Sequence, residues 1–398
     1  MKMGDFVTSM METPMQSDAR RTEEFTIRNG LCLIPGEGLV IADIQCSGGI
    51  IAAISRPAGT AKGGLDAAGR LVLPGVVDIH GDAFERQIMP RPRTLFPLDL
   101  ALLETDRQLA ANGITTAYHG ITVSWEPGLR SLEQATRIIA ALDALEHEFH
   151  VDHRLHIRWE TFAVDEAHAV EALFARERKP LLAFNDHTSM SLSGTRKDIK
   201  LRGSAERAMV DMDTYRSLLD AAGERQDEVE ATVHWLSQAA RGNDVPMLSH
   251  DDCTAGMREA YRKLGVGIAE FPMNWETLED AAASQDHIVL GSPNIVRGGS
   301  HNGAIGAEDA VRRSMCTILA SDYYYPAPLA AALSLAARSV LPLEQAWDLV
   351  SGAPARASGL FDRGSIAEGK RADLIVLDEA RRRPSAVIAA GRPVYASR

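Results

Sequence analysis

The chain has 398 residues, 45% of them hydrophobic and 24% charged, enough for one large core or two smaller ones. A formal net charge of −12 argues against general nucleic-acid binding, and no apolar run approaches the roughly 18–20 residues of a membrane span. The N-terminus lacks the apolar core of a signal peptide, and Cys32, Cys46, Cys253 and Cys316 form no CxxC pair, a combination that fits a reducing cytoplasm.

Residues 1–25 read as a polar, partly disordered extension. Residues 26–75 alternate short apolar runs with Gly and Pro (TIRNGLCLI, GLVIADIQCSGGIIAAISR, GRLVLPG), the pattern of short strands joined by tight turns. From residue 76 to 354 the pattern changes. The runs GVVDIH, GITTAYHG, RLHIRWE, LLAFNDH, VPMLSHD, GIAEFP, HIVLGS and CTILASD read as strands. Between several of them lie stretches of helical periodicity, such as PLDLALLETDRQLAANG and DEVEATVHWLSQAARGN. Such alternation implies parallel βαβ units and predicts an α/β fold, a closed (β/α)8 barrel. Residues 355–398 return to strands, in GSIAEGKRADLIVLD and SAVIAAGRPVYAS. A small β-sandwich domain built from 26–75 plus 355–398 would then flank a barrel over 76–354. Residues 188–228 form a long polar insertion after LLAFNDH, where barrel enzymes place lids and substrate loops; a plain solvated excursion is the lesser alternative.

The polar residues gather at the C-terminal ends of the predicted strands, where barrel active sites lie. GVVDIHGD delivers His80 and Asp82, whose i, i+2 spacing on a strand aims both at one point. RLHIRWE places His156, Arg158 and Glu160 on one face. LLAFNDH ends in Asn185, Asp186 and His187; VPMLSHDD ends in His250, Asp251 and Asp252, with His250 and Asp252 sharing a face; CTILASD ends in Asp322. Each has a dull alternative: Asp186, His187 and Asp322 could cap helices, and His250 could be an interior histidine. Taken together, His80, Asp82, Glu160, His187, His250 and Asp322 predict a site for one or two divalent metal ions, with Glu160 suited to bridge two and His156 lying deeper. Zinc is the first expectation, with Mn, Fe or Mg also compatible.

At these residues the chain resembles the amidohydrolase superfamily and, within it, the PhnM family of the carbon–phosphorus lyase pathway. LVLPGVVDIHGD followed by PRP, then NGITTAYHG, RLHIRWE, NDH, LSHDD, IAEFP, GSPNIVRGGSHNG and SDYYYP carry the resemblance in order. It implies a metal-dependent diphosphatase that cleaves α-D-ribose 1-alkylphosphonate 5-triphosphate to the 5-phosphate and pyrophosphate. It places His80 and Asp82 as the first-strand ligand pair and Glu160 where a bridging carboxylate or carboxylated lysine is usual. His187 and His250 become the fifth- and sixth-strand ligands. Asp322 becomes the eighth-strand aspartate that binds metal and accepts a proton from the attacking water. One departure stands out: the family's HTDN followed by leucine is HGDAFERQ here, which bears on the substrate more than on the metal.

A triphosphate also needs cations. Arg86, Arg91 and Arg93 follow the first strand, and Arg297 opens the run Gly298-Gly299-Ser300-His301-Asn302-Gly303. Arginine's planar fork fits phosphate oxygens, and glycines let backbone N–H groups approach them, with a plain turn as the lesser alternative for the glycines. His301 could assist the leaving group. Lys197, Lys200 and Arg202 of the insertion could close over the polyphosphate, although a basic run is more often a solvated face. The partner is thus a small anionic phosphorylated substrate, with no nucleic acid or membrane, and a homodimer is the default assembly. The competing functions are hydrolysis of a C–N bond, as in cyclic amide hydrolysis or deamination, and a non-enzymatic assembly role.

Overall fold

The chain's structure, a computed structural model, describes residues 24–57, 64–194, 198–299 and 305–397. The N-terminal strands are β1 (Phe25–Ile34), β2 (Gly38–Ser47), β3 (Ile50–Ser55), β4 (Leu65–Asp66) and β5 (Leu71–Pro74). The barrel follows as β6 (Val76–Gly81), β7 (Ile114–Val123), β8 (Asp152–Glu160), β9 (Leu181–Asn185), β10 (Met247–His250), β11 (Ile268–Glu270), β12 (His287–Gly291) and β13 (Ile318–Ala320). The chain returns through β14 (Leu374–Asp378), β15 (Arg383–Ala389) and β16 (Arg392–Ala396).

Strands β6 to β13 pair in chain order, every one parallel to the next. All of β7 is buried, as parallel strands covered on both faces must be. The barrel closes through a parallel bridge between Gly81 and Asp322. There Asp82 N donates to Asp322 O and Asp322 N to His80 O, each at 2.9 Å. Closure therefore lies at the strand ends that carry three expected ligands. Leu248, Ile268 and Ile318 belong to one apolar cluster, and His250, Glu270 and Asp322 follow on the same strands' C-terminal sides. Helices cover the outside. Leu132–Ala144, Ala255–Lys263 and Trp275–Ala283 each start on a side-chain cap, from Ser131, Thr254 and Asn274.

Both chain ends share a second, mixed sheet in the order β16-β15-β14-β5-β1-β2-β3, with β4 beside β1. A bridge from Ile50 to Arg371 turns the β2–β3 hairpin back toward the C-terminal strands. Ile27, Ile44, Ile51, Val72, Leu374 and Ile388 pack as its core. The cysteines are free, with Cys32, Cys46 and Cys316 buried.

The polar insertion is helical over His187–Leu192, Asp198–Arg207 and Met212–Gly223. It is packed down by Ala205, Ala208 and Tyr215 around Trp125. Trp125 Nε1 donates to Thr188 Oγ1 at 2.9 Å, and Tyr215 OH donates to Glu126 at 2.5 Å. Lys200 and Arg202 point to solvent; Lys197 lies outside the described residues.

Candidate metal centre

A buried carboxylate organises the site. Glu270, at the end of β11, is fully buried and accepts from His80 Nδ1 at 2.7 Å and from His250 Nδ1 at 2.8 Å. The two imidazoles stack with centroids 5.6 Å apart and planes within 9°. Donating Nδ1–H to Glu270 fixes both tautomers, so each Nε2 is the nitrogen left to act as a ligand. Burial opposes charge on Glu270, but His80, His156 and the two hydrogen bonds hold its pKa well below the usual range. Burial likewise opposes charging His80, yet Glu270 keeps its pKa raised. A metal ion would thus replace a proton on His80.

Two ligand groups surround this pair. His80, Asp82 and Asp322 offer ligand atoms within 4.8 Å of one another, and so do His187, His250 and Asp251. Burial, then the neighbouring Asp82 carboxylate, pushes the Asp322 pKa up to about 7. That rise marks negative charge left partly unbalanced. Neutral imidazoles and clustered carboxylates are the donors a divalent ion takes, so the residues present fit such an ion.

Several expectations need correcting in detail. His187 follows the fourth barrel strand and His250 ends the fifth, not the fifth and sixth; Glu160 ends the third. Glu160 stands behind His187 and joins neither ligand group. Its Oε1 accepts from Thr188 N at 2.9 Å and Thr188 Oγ1 at 2.8 Å, and its Oε2 from His187 N at 3.3 Å. The orphan amides at the start of the helix His187–Leu192 therefore take the carboxylate that looked free to bridge ions. Asp186 caps that helix through Ser189 N at 2.9 Å. His250 and Asp252 do not share the site. β10 ends at His250, Asp251 turns the chain with φ 61°, and Asp252 is buried with Ser249 and Arg258. His156 is fully buried, donates Nδ1–H to Ile79 O at 2.9 Å, and is held neutral by burial, its pKa lowered to about 3.

The residues that sequence reasoning missed are Glu270, Asp251 and the central position of Arg158. Arg158 is buried, with NH2 3.0 Å from His250 Nε2 and NH1 3.8 Å from Asp82 Oδ2. Of the expected substrate contacts, Arg86 donates to Tyr323 O, Arg93 donates to Val210 O at 2.8 Å, and Arg297 reaches Tyr323 OH at 3.3 Å. Arg91 is exposed in a turn with Thr94. Gly298 (φ 78°) and Gly299 (φ 145°) adopt backbone angles that favour glycine, and among the described residues a Cβ on either would meet nothing within 4 Å. Their positive φ angles are the reason for glycine that the described residues supply. His301 lies outside the described residues. A small cleft, with room for about one water, adjoins the centre at Glu160 and His187 and is lined by Thr122, Ser124, Glu126, Arg130 and Tyr215.

The amidohydrolase family model matches residues 327–395. The α-D-ribose 1-methylphosphonate 5-triphosphate diphosphatase of Escherichia coli K12 is 29% identical over 371 residues, covering 88% of this chain and 94% of that protein. Among solved structures, molinate hydrolase aligns with a TM-score of 0.63 at 14% identity, covering 94% of this chain and 95% of that one. A beta-aspartyl dipeptidase from Fervidobacterium islandicum aligns with a TM-score of 0.61 at 14% identity, covering 94% of this chain and 97% of that one.

Proposed function

We propose that this chain, a hydrolase of the amidohydrolase superfamily, is a metal-dependent diphosphatase of phosphonate catabolism. In this reading it acts on α-D-ribose 1-alkylphosphonate 5-triphosphate and releases pyrophosphate. The observation that carries the reading is the likeness to the Escherichia coli diphosphatase along 88% of the chain. The cationic and metal-ligating character of the barrel's C-terminal rim agrees with it.

His80, Asp82 and Asp322 would hold a divalent ion, zinc first, with His187, His250 and Asp251 as the second ligand group. A bound ion supplies a lowered pKa to water and positive charge to the attacked phosphoryl group. The protein supplies the rest. Asp322, beside Asp82 at the barrel seam, would orient the water and take its proton. Glu270 locks the imidazoles of His80 and His250 in the ligating tautomer, and Glu160 steadies His187. Arg86, Arg91, Arg93 and Arg297, with the Gly298-Gly299 turn and His301, are the groups proposed for the polyphosphate. Domain limits at 26–75 plus 355–398 and 76–354, a cytoplasmic location and a homodimer complete the reading.

The test is pyrophosphate release by metal-loaded protein from a ribose 1-alkylphosphonate 5-triphosphate, with nucleoside triphosphates as controls. Selective release from the first is the expected result. No release, with metal bound, would overturn the reading and turn attention to C–N bond hydrolysis, for which a stretch of 57 residues 47% identical to Salmonella gallinarum allantoinase is the starting point.

A further inference from the structure

The buried guanidinium of Arg158 lies between the two ligand groups. Its NH2 is 3.0 Å from His250 Nε2, the nitrogen His250 would need for a metal, because Nδ1 is committed to Glu270. Its NH1 lies 3.8 Å from Asp82 Oδ2, on the side of the other group. Among the described residues nothing accepts from its Nε. The placement is built into the barrel wall: a Cβ on Gly120 of β7 would come within 3.1 Å of Arg158 Cδ. Glycine at that position leaves the room through which the arginine stem passes. A fixed charge here repels any ion seated on His250.

We propose that Arg158 takes the place of a second divalent ion, so that the centre loads one ion, on His80, Asp82 and Asp322, and uses the guanidinium as its second cation. This rests on the metal-hydrolase reading above but not on the identity of the substrate. The chemistry is consistent with an anionic substrate. Arginine is always charged, presents a planar fork to phosphoryl oxygens, and unlike an ion cannot be lost to a chelator. His187, His250 and Asp251 would then serve as a polar wall around the guanidinium, with His250 accepting from it.

The experiment counts ions on the full chain, stripped by chelator, reloaded with Mn²⁺ and freed of excess. Metal content is measured by mass spectrometry, and the Mn²⁺ spin state by electron paramagnetic resonance. One ion per chain with an uncoupled six-line spectrum is expected for the wild type. Arg158→Met keeps the apolar stem and removes the charge, and should bind two ions with a spin-coupled signal; Arg158→Lys keeps the charge and should bind one. Two ions in the wild type would overturn the proposal, as would a folded Arg158→Met that still binds one. If Arg158→Met fails to fold, Gly120→Ala, which displaces the stem without removing the charge, must raise affinity for a second Mn²⁺ at least tenfold, or the proposal fails. The count needs no substrate, so a failed pyrophosphate assay leaves it standing, whereas a wild type that binds no ion overturns both readings.

Discussion

Two clusters in this molecule join histidines to a buried carboxylate, and they differ in where the remaining nitrogens point. At the barrel rim, Glu270 takes Nδ1 of His80 and His250 and leaves each Nε2 on the side of Asp82, Asp251 and Asp322. Against the outer wall, Asp106 on the helix Leu98–Ala111 accepts from His153 Nε2 at 3.1 Å, and His153 Nδ1 meets His119 Nε2 at 2.7 Å. Asp106 also takes His150 Nδ1 at 2.6 Å and the backbone amides of His150 and Val151. Phe84 and Phe149 cover His119 and His153. Both nitrogens of His153 are engaged with protein, so this relay fastens a helix to the barrel. The same residue types become a candidate site where the second nitrogen of each ring faces converging carboxylates and a buried guanidinium instead of being spent on fastening one element to another.

The sharpest way to break the comparison is Asp322→Asn. It should lower turnover roughly 10²–10⁴-fold, the usual contribution of a positioned base, with the ion still bound, as read by pyrophosphate release beside metal content. Asp106→Asn tests the other cluster. Removing a buried charge that accepts several hydrogen bonds should cost roughly 2–4 kcal/mol in urea unfolding and leave metal affinity unchanged. Glu270→Gln should do the converse at the rim, weakening metal binding about 10–100-fold by calorimetry, because the amide no longer holds both imidazoles in one tautomer. A fall in metal affinity for Asp106→Asn, or none for Glu270→Gln, would erase the distinction drawn between the clusters.

The smallest expected effect is in pH. Burial lowers the pKa of His119 and, less strongly, His153 below the ordinary 6.5. The unfolded chain therefore binds more protons than the native one below that value, and stability rises with pH. The stability these residues keep above pH 6.5 is lost as pH falls below it. Melting temperature should drop between pH 7 and 5, and His119→Leu should flatten that slope. An unchanged slope would mean that the relay is not what titrates.

Much of the fold could be read in advance because its signals are local and repeated. GVVDIH, GITTAYHG and CTILASD are dense in β-branched residues, and each became a barrel strand. His80, Asp82, His187, His250 and Asp322 stood out because each is a polar residue closing an apolar run. Alternation failed where a strand stopped sooner than its sequence suggested. At His250 the next residue takes a left-handed turn, so Asp251 rather than Asp252 joins the group. Glu160 lay on the right face, but the amides it meets belong to a helix that starts after the next strand, a contact no strand pattern contains. Glu270 closes a three-residue strand in GIAEFP and passed as an ordinary end. Its only warning was a charge inside an apolar run, which burial tolerates only with partners.

The seam between Gly81 and Asp322 joins the first barrel strand to the last. His80 and Asp82 emerge early from the ribosome, whereas Asp322 arrives only when nearly the whole barrel has been synthesised. A nascent chain thus carries two of the three proposed ligands and would have little hold on a metal ion until its final strand docks. Under the proposed metal site, ion capture and barrel completion would be one event, and a seated ion would act as a clasp across the place where the sheet would otherwise open.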